Sequence, residues 1–269
     1  MNTEELFAFA RDILLPKADE ILRSSFEAYC NGADIGIQTK SDNTPATNAD
    51  REAEMALRTL ITENYPSHGI QGEEFGSLNP DADWIWVLDP LDGTREFLAK
   101  KPGYFGTLIG LLYKGEPCLG AISDPIKRKN WLSVNRKTPG KNKKLDKSII
   151  ACTNTEEMFK PADMRRGIFA VRKKALNIKT DLNCLGFAGI VDGDIDAAIE
   201  NNLKAHDIIP LLPVLHRAGI YTVNLSGIDY TAIKFDTEDA YSRKYGLVAA
   251  ANPMLVKDIL NTFHEEVNG

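Results

Sequence analysis

Three absences bound what this chain can be. Its four cysteines, Cys30, Cys118, Cys152 and Cys184, are scattered, with no CxxC pair of the kind that zinc and redox sites use. They read as buried thiols in a reducing compartment rather than as a disulfide framework. No stretch reaches the ~18 consecutive apolar residues that a bilayer-spanning helix needs. Cations are in the minority: 32 Lys and Arg against 38 Asp and Glu leave a net charge of −6. That balance argues against nucleic acid as the main partner, because binding a phosphate backbone needs a basic surface. It leaves small phosphorylated substrates open, since a bound metal ion supplies positive charge locally. The N-terminal Met1-Asn2-Thr3-Glu4-Glu5 also lacks the basic flank and apolar run of a secretory leader, so the expectation is a cytoplasmic protein.

What is present is an ordinary globular composition. The 269 residues are 43% apolar and 26% charged, enough for a sizeable core in one large domain or two of ordinary size. Leu6, Ala10, Leu14, Ala18, Ile21, Leu22, Ser25 and Tyr29 recur at helical steps and predict a long amphipathic helix over 4–30. A loop or hairpin follows around Lys40 to Pro45. A second helix is predicted from about Asn48 to Asn64, with Ala53, Leu57, Leu60 and Ile61 as its apolar stripe and Pro66 beyond its end. Trp84-Ile85-Trp86-Val87-Leu88 reads as a buried strand that stops at Asp89, and a helix carrying Phe97 and Leu98 begins just after it. Residues 105–124 read as a hairpin turning at Lys114-Gly115. Further strands are expected at 130–134, 148–152 and 195–199. The polar segment Glu200 to His206 precedes a helix carrying Ile208, Leu211, Leu212 and Leu215. Pro210 suits a first turn. Pro213 lies deeper, so the helix should either bend or begin later.

Residues 127–147 hold nine Lys or Arg and one Asp around Pro139-Gly140. They read as an exposed loop, either a solvated connection or a contact for acidic partners or RNA. The loop is also the expected boundary between an N-terminal part, 1–140, and a C-terminal part, 141–269.

The most informative string is Asp89-Pro90-Leu91-Asp92-Gly93-Thr94. Two aspartates three residues apart at the end of an apolar strand would repel strongly unless a cation lay between them. All-oxygen ligands suit Mg²⁺. Gly93 permits close backbone approach, and the N–H groups of Gly93 and Thr94 at a helix start offer a phosphate cradle. Asp-Gly before a helix is also a common turn and cap. Three other acids have both a structural and a chemical reading. Glu73, in Gly72-Glu73-Glu74-Phe75-Gly76, can be a solvated loop acid; Asp207 can be a helix N-cap; Asp50, in Thr47-Asn48-Ala49-Asp50, can be a first-turn acid that suits the helix dipole.

Taken together, these pieces resemble the inositol monophosphatase family. The matching residues are Lys40…Pro45-Ala46-Thr47-Asn48-Ala49-Asp50, Gly72-Glu73-Glu74, Asp89-Pro90-Leu91-Asp92-Gly93-Thr94, and His206-Asp207 with the later Ala218-Gly219. Their order and spacing agree over nearly the whole chain. The resemblance implies an α/β protein folded as a layered αβαβα sandwich, and a Mg²⁺-dependent phosphate monoester hydrolase. It implies two or three Mg²⁺ per site, held by Glu73, Asp89, the carbonyl of Leu91, Asp92 and Asp207. It gives Asp50, Thr94 and Glu73 catalytic roles, with Asp50 and Thr94 orienting the attacking water. Gly93, Thr94, Asn183, Glu200 and His206 fall at substrate-facing positions, His206 where relatives place an aromatic wall. Homodimers and inhibition by Li⁺ are common in the family.

Within it, the chain is most similar to the histidinol-phosphate phosphatase branch. Gly76 after Gly-Glu-Glu-Phe, residues 105–109, Trp131, Leu203-Lys204 before Asp207, and Pro213 carry that likeness. One departure is Asp181-Leu182-Asn183-Cys184-Leu185, where that branch tends to carry Gly-Gly-Asp-Cys-Tyr. The expectation is therefore a histidinol-phosphate phosphatase of histidine biosynthesis, with inositol 1-phosphate or another small monoester as the alternative. A member that serves as a binding protein for the transcription or RNA machinery is the alternative of another class. No membrane association is expected.

Overall fold

The computed structural model describes residues 3–40, 43–134, 142–153, 158–236 and 238–267. The first helical run is α1 (Thr3–Phe9), a π-helical turn (Ala10–Leu14) and α2 (Leu15–Cys30). Pro16 accounts for the loosened turn, because it has no N–H to donate back. The strands β1 (Gln38–Thr39) and β2 (Pro45–Ala46) pair antiparallel, so the expected hairpin is present, although residues 41–42 at its tip lie outside the described residues. Next come α3 (Asn48–Asn64), β3 (Gly69–Gly72), β4 (Gly76–Leu78), β5 (Trp84–Asp92), α4 (Thr94–Leu98), β6 (Gly106–Tyr113), β7 (Glu116–Asp124) and β8 (Lys129–Leu132). The rest of the chain forms β9 (Ile149–Cys152), α5 (Ala162–Lys174), β10 (Asn177–Thr180), α6 (Cys184–Asp192), β11 (Ala197–Leu203), α7 (Ala205–Arg217), β12 (Tyr221–Val223), α8 (Glu238–Ser242), β13 (Tyr245–Ala250) and α9 (Pro253–Val267). Residues 135–141, in the middle of the basic stretch, lie outside the described residues.

Two sheets organise the chain. One has six strands in the order β4-β3-β5-β6-β7-β8, and the other has five in the order β10-β9-β11-β13-β12. The first sheet buries Trp86, Leu88, Ile109 and Leu111 against Leu6, Leu14, Leu57 and Ile61 of the N-terminal helices. Its other face presents Ile85, Val87, Leu108 and Ile122 to α6 and α7. The same central helices take Ala198, Leu247 and Ala249 from the second sheet. The far face of that sheet, with Ile150, Ile199 and Val248, packs on α5 and α9. The order helices, sheet, helices, sheet, helices is the expected αβαβα sandwich. It explains why the strand at 84–88 is apolar without alternation, since both of its faces are covered.

Several boundaries differ from the sequence reading. β5 does not stop at Asp89: it continues to Asp92 through a register shift against β6, with Asp89 opposite Leu108 and Asp92 opposite Gly106. A bulge is where a strand tolerates Pro90, which has no ladder donor. β11 runs to Leu203, so Glu200 sits on a strand rather than in a polar connection. α7 begins at Ala205, with Lys204 at the N-cap, so Asp207 is inside the first turn and is not the cap. Pro210 is beyond that turn, and both prolines are interior. Two glycines of the facing sheet make this possible. A Cβ on Gly110 would lie 3.2 Å from the Pro210 ring, and one on Gly120 would lie 2.0 Å from the Pro210 carbonyl oxygen. The helix thus lies directly on the sheet backbone, and burial of its apolar face outweighs two missing N–H donors.

Candidate active site

Side chains along β5 alternate in direction, so Asp89 faces the same way as Ile85 and Val87, into the central helical layer. In that layer the first turn of α7 brings Asp207 and the first turn of α6 brings the Cys184 N–H. Cys184 N donates to Asp92 Oδ2 at 2.5 Å, and Lys204 N donates to Asp207 Oδ2 at 2.6 Å. Glu73 arrives from the turn between β3 and β4, where its own N–H donates to the Leu88 carbonyl at 3.1 Å. Buried Glu54 shapes this turn by accepting from the N–H groups of Glu74 (2.7 Å) and Phe75 (3.1 Å). Gly72 is needed there, because a Cβ at this position would sit 2.0 Å from Glu54 Oε1.

The result is a convergence of acids. Ligand-type atoms of Asp89, Asp92 and Asp207 lie within 4.8 Å of one another, as do those of Glu73, Asp89 and His206; Asp89 belongs to both groups. Asp89 is 1% exposed, and its Oδ1 has no hydrogen-bond partner. Burial, and then the neighbouring charges of Glu73, Asp92 and Asp207, push its carboxyl well above the ordinary range. Burial and Asp207 push Asp92 up to about 7. Burial also raises Asp207, with His206 opposing it. Glu73 moves the other way: His206 and Lys40 overcome the effect of burial and hold it below the usual value. Lys40 Nζ lies 2.9 Å from Glu73 Oε1 and also contacts Glu74, while His206 Nε2 lies 3.8 Å from Glu73 Oε1 and 3.7 Å from Asp207 Oδ1.

Asp50 sits in the first turn of α3, as its structural reading expects, and it also meets Thr94. As the third residue of α3 it accepts from Thr47 N (2.8 Å) and Thr47 Oγ1 (2.6 Å), closing a capping box. Its other oxygen accepts from Thr94 Oγ1 at 2.9 Å; the same hydroxyl lies 3.2 Å from the Leu91 carbonyl. Burial raises the Asp50 carboxyl.

Glu73, Asp89, Leu91, Asp92, Gly93, Thr94, Asn183, His206 and Asp207 all line one cavity of about 710 Å³. Glu200 lines a smaller recess of about 110 Å³ that shares Asp92, Asn183 and Asp207 with it. Glu200 is 3% exposed; Oε1 accepts from Thr153 N at 2.6 Å and Oε2 has no partner. Burial pushes its carboxyl up to about 8. Asp50 reaches the cavity only through Thr94.

The sequence reading missed Glu54, Lys204, the Cys184 N–H, and the cavity-lining Lys160, Asp181 and Lys244. Only Gly72, directly before Glu73, hinted at Glu54. The others carry no local signal, because their role comes from being folded against Glu73, Asp92 and Asp207.

The acids that line this cavity between the two sheets could together hold a divalent cation. The whole chain, residues 2–268, matches the inositol monophosphatase family, and the chain belongs to it. Members of this family hydrolyse phosphate monoesters, and this chain is a phosphatase of that class. It is 35% identical over 263 residues to the bifunctional phosphatase IMPL2 of Arabidopsis thaliana, covering 91% of this chain and 71% of the relative. It is 27% identical to a histidinol-phosphatase of Mycobacterium tuberculosis (80% and 86% covered) and 28% identical to the Nus factor SuhB of Pasteurella multocida (91% of each). An inositol monophosphatase from Zymomonas mobilis superposes with a TM-score of 0.80 at 27% identity, covering 98% of this chain and 99% of that one.

Proposed function

We propose that this chain is a Mg²⁺-dependent histidinol-phosphate phosphatase. The observation that carries the metal reading is Asp89 Oδ1, a buried carboxylate oxygen without a partner where four acids converge. Such a group is costly unless a cation completes it, and an oxygen-rich donor set suits Mg²⁺. Glu73, Asp89, the Leu91 carbonyl, Asp92 and Asp207 would hold the ions. Bound Mg²⁺ lowers the pKa of a water and neutralises charge on the transferring phosphoryl group.

The chain's own groups supply positioning. Asp50 Oδ1 accepts a hydrogen bond from the Thr94 hydroxyl, which leaves the Thr94 oxygen lone pairs to accept from the attacking water. The Gly93 and Thr94 N–H groups cradle the phosphate, and His206 forms a wall of the cavity. Glu200 Oε2, buried and unpaired in its recess, suits a donor on the organic part of the substrate; an amine would form a charge-assisted bond there. One observation favours a polyol monophosphate instead, namely Asn183 where the resembled branch carries Asp. The reading as a binding protein for the transcription machinery has weaker support, because Lys127, Lys129 and Lys143 of the basic stretch pair internally with Asp124, Asp192 and Asp196.

We read the chain as a cytoplasmic homodimer in two parts, 1–140 and 141–269. Among the described residues no helix is long and apolar enough to cross a membrane.

A phosphate-release panel with Mg²⁺ tests the substrate assignment, comparing histidinol phosphate, inositol 1-phosphate and p-nitrophenyl phosphate. Histidinol phosphate is expected to have the highest kcat/KM; preference for inositol 1-phosphate would replace the assignment. Glu200→Gln should raise KM for the amine-bearing ester more than for p-nitrophenyl phosphate, and equal effects would remove Glu200 from specificity.

A further inference from the structure

The turn entering α6 carries a strained residue. Asn183 has φ 50° and ψ −138°. Leu185 N donates to the Leu182 carbonyl at 3.0 Å, closing a four-residue turn of the type II′ kind, whose second position glycine normally takes. A side chain persists there only where its surroundings over-determine it. The surroundings are explicit: Asn183 Nδ2 lies 3.0 Å from Glu96 Oε2, 2.8 Å from the Tyr104 carbonyl and 3.2 Å from the Asp181 carbonyl. With only two amide hydrogens, its donating capacity is used up inside the protein. On the other side Gly93, at φ 95°, gives it room, because a Cβ there would lie 2.6 Å from Asn183 Nδ2. The next residue, Cys184, points its N–H at Asp92.

We propose that Asn183 is a positioning residue: its amide, acting as a donor, clamps the Asp92–Thr94 turn and α4 to the start of α6, and so aims the Cys184 N–H at the Asp92 carboxylate. This rests on Asp92 being a metal ligand, as read above. Hydrogen-bonding partners of metal ligands orient them and tune affinity. A carboxylate at 183, the residue type of the resembled branch, would set acceptor against acceptor at Glu96 and at the carbonyls of Tyr104 and Asp181. In this chain position 183 therefore serves the metal centre rather than the substrate's amine.

The test is Mn²⁺ titration of the intact protein by electron paramagnetic resonance, with melting of the metal-free protein and turnover of p-nitrophenyl phosphate as companions. Asn183→Ala should weaken Mn²⁺ binding by about 10- to 100-fold, and its kcat should recover at saturating Mg²⁺. Asn183→Gly should lose similar affinity yet melt higher than Asn183→Ala without metal, because glycine relieves the turn. Asn183→Asp should bind Mn²⁺ more weakly than Asn183→Ala. Unchanged Mn²⁺ affinity in Asn183→Ala, or a kcat that high Mg²⁺ does not restore, overturns the proposal. So does a gain by Asn183→Asp for an amine-bearing ester over p-nitrophenyl phosphate. If the unmodified chain binds no Mn²⁺, the metal reading of Asp92 fails first and this inference with it.

Discussion

The two ends of β5 treat buried polar atoms in opposite ways. At its start Trp84 and Trp86 join Phe9, Tyr65, His68 and Tyr113 in an aromatic cluster: Trp84 and Tyr113 have ring centroids 4.4 Å apart, and Tyr65 stacks on His68 at 4.9 Å. The buried polar atoms there have found each other, with Trp86 Nε1 donating to His68 Nδ1 at 3.1 Å. At the far end Asp89 keeps an orphaned oxygen among like charges. One end of the strand is a finished core, stabilised by burial and a satisfied hydrogen bond. The other stores unfavourable electrostatics that a bound cation would relieve, and that is where the proposed metal centre lies.

The comparison can be broken in steps of decreasing size. Asp89→Asn should lower Mg²⁺-dependent turnover by at least about 10²–10³-fold, the scale of losing one preorganised electrostatic element, while circular dichroism shows the fold intact. Full activity in that variant would mean the acids are not a metal centre. Mg²⁺ at about 100 times its Kd should stabilise the unmodified protein by about 2.7 kcal/mol, read as a rise in Tm, and should do much less for Asp89→Asn. Equal rises would place the stabilising ion elsewhere.

At the aromatic end the expected pattern reverses. Trp86→Phe leaves His68 Nδ1 without its donor and should cost about 1–3 kcal/mol of stability, with kcat per folded molecule unchanged. A kcat that falls with stability would join the two ends into one functional unit. The smallest effect is in pH. Burial lowers the His68 pKa below its ordinary value, so the folded state favours the neutral ring. That contribution is complete above the unfolded pKa, about 6.5, and is lost as pH falls through the lower folded value. Because Asp92 and Glu200, raised by burial, titrate in the opposite sense, the loss is read as the difference in urea stability between the unmodified protein and His68→Gln, which should shrink from pH 7 to pH 5.

The same contrast shows what was legible before the fold was known. Elements with strong periodicity stood where expected: α3, the β6–β7 hairpin, and the apolar part of β5. Asp89 was recognisable as chemical because an acid at the end of a Trp-Val strand has no cheap structural excuse. Asp50 was ambiguous because capping and catalysis call for the same residue; it closes the capping box on Thr47 and also accepts from Thr94 at the cavity edge. α7 begins at Ala205, inside the segment Glu200 to His206 that reads as polar, and it holds both prolines in its interior, which local rules penalise. Gly110 and Gly120, roughly a hundred residues earlier, provide the close packing that outweighs that penalty.

The order of residues alone carried the motifs whose resemblance implies the family, its layered architecture and the candidate acids, while alternation and turn chemistry, as local properties of the chain, placed individual helices and strands. Only the tertiary structure decided which partners those acids lack, that Lys40 and His206 lie against Glu73, and that the Asn183 amide is spent on Glu96 and Tyr104. Those are distances between segments up to 133 residues apart, as Glu73 and His206 are, and whether a buried charge is paired or orphaned depends on such distances, which no local pattern encodes.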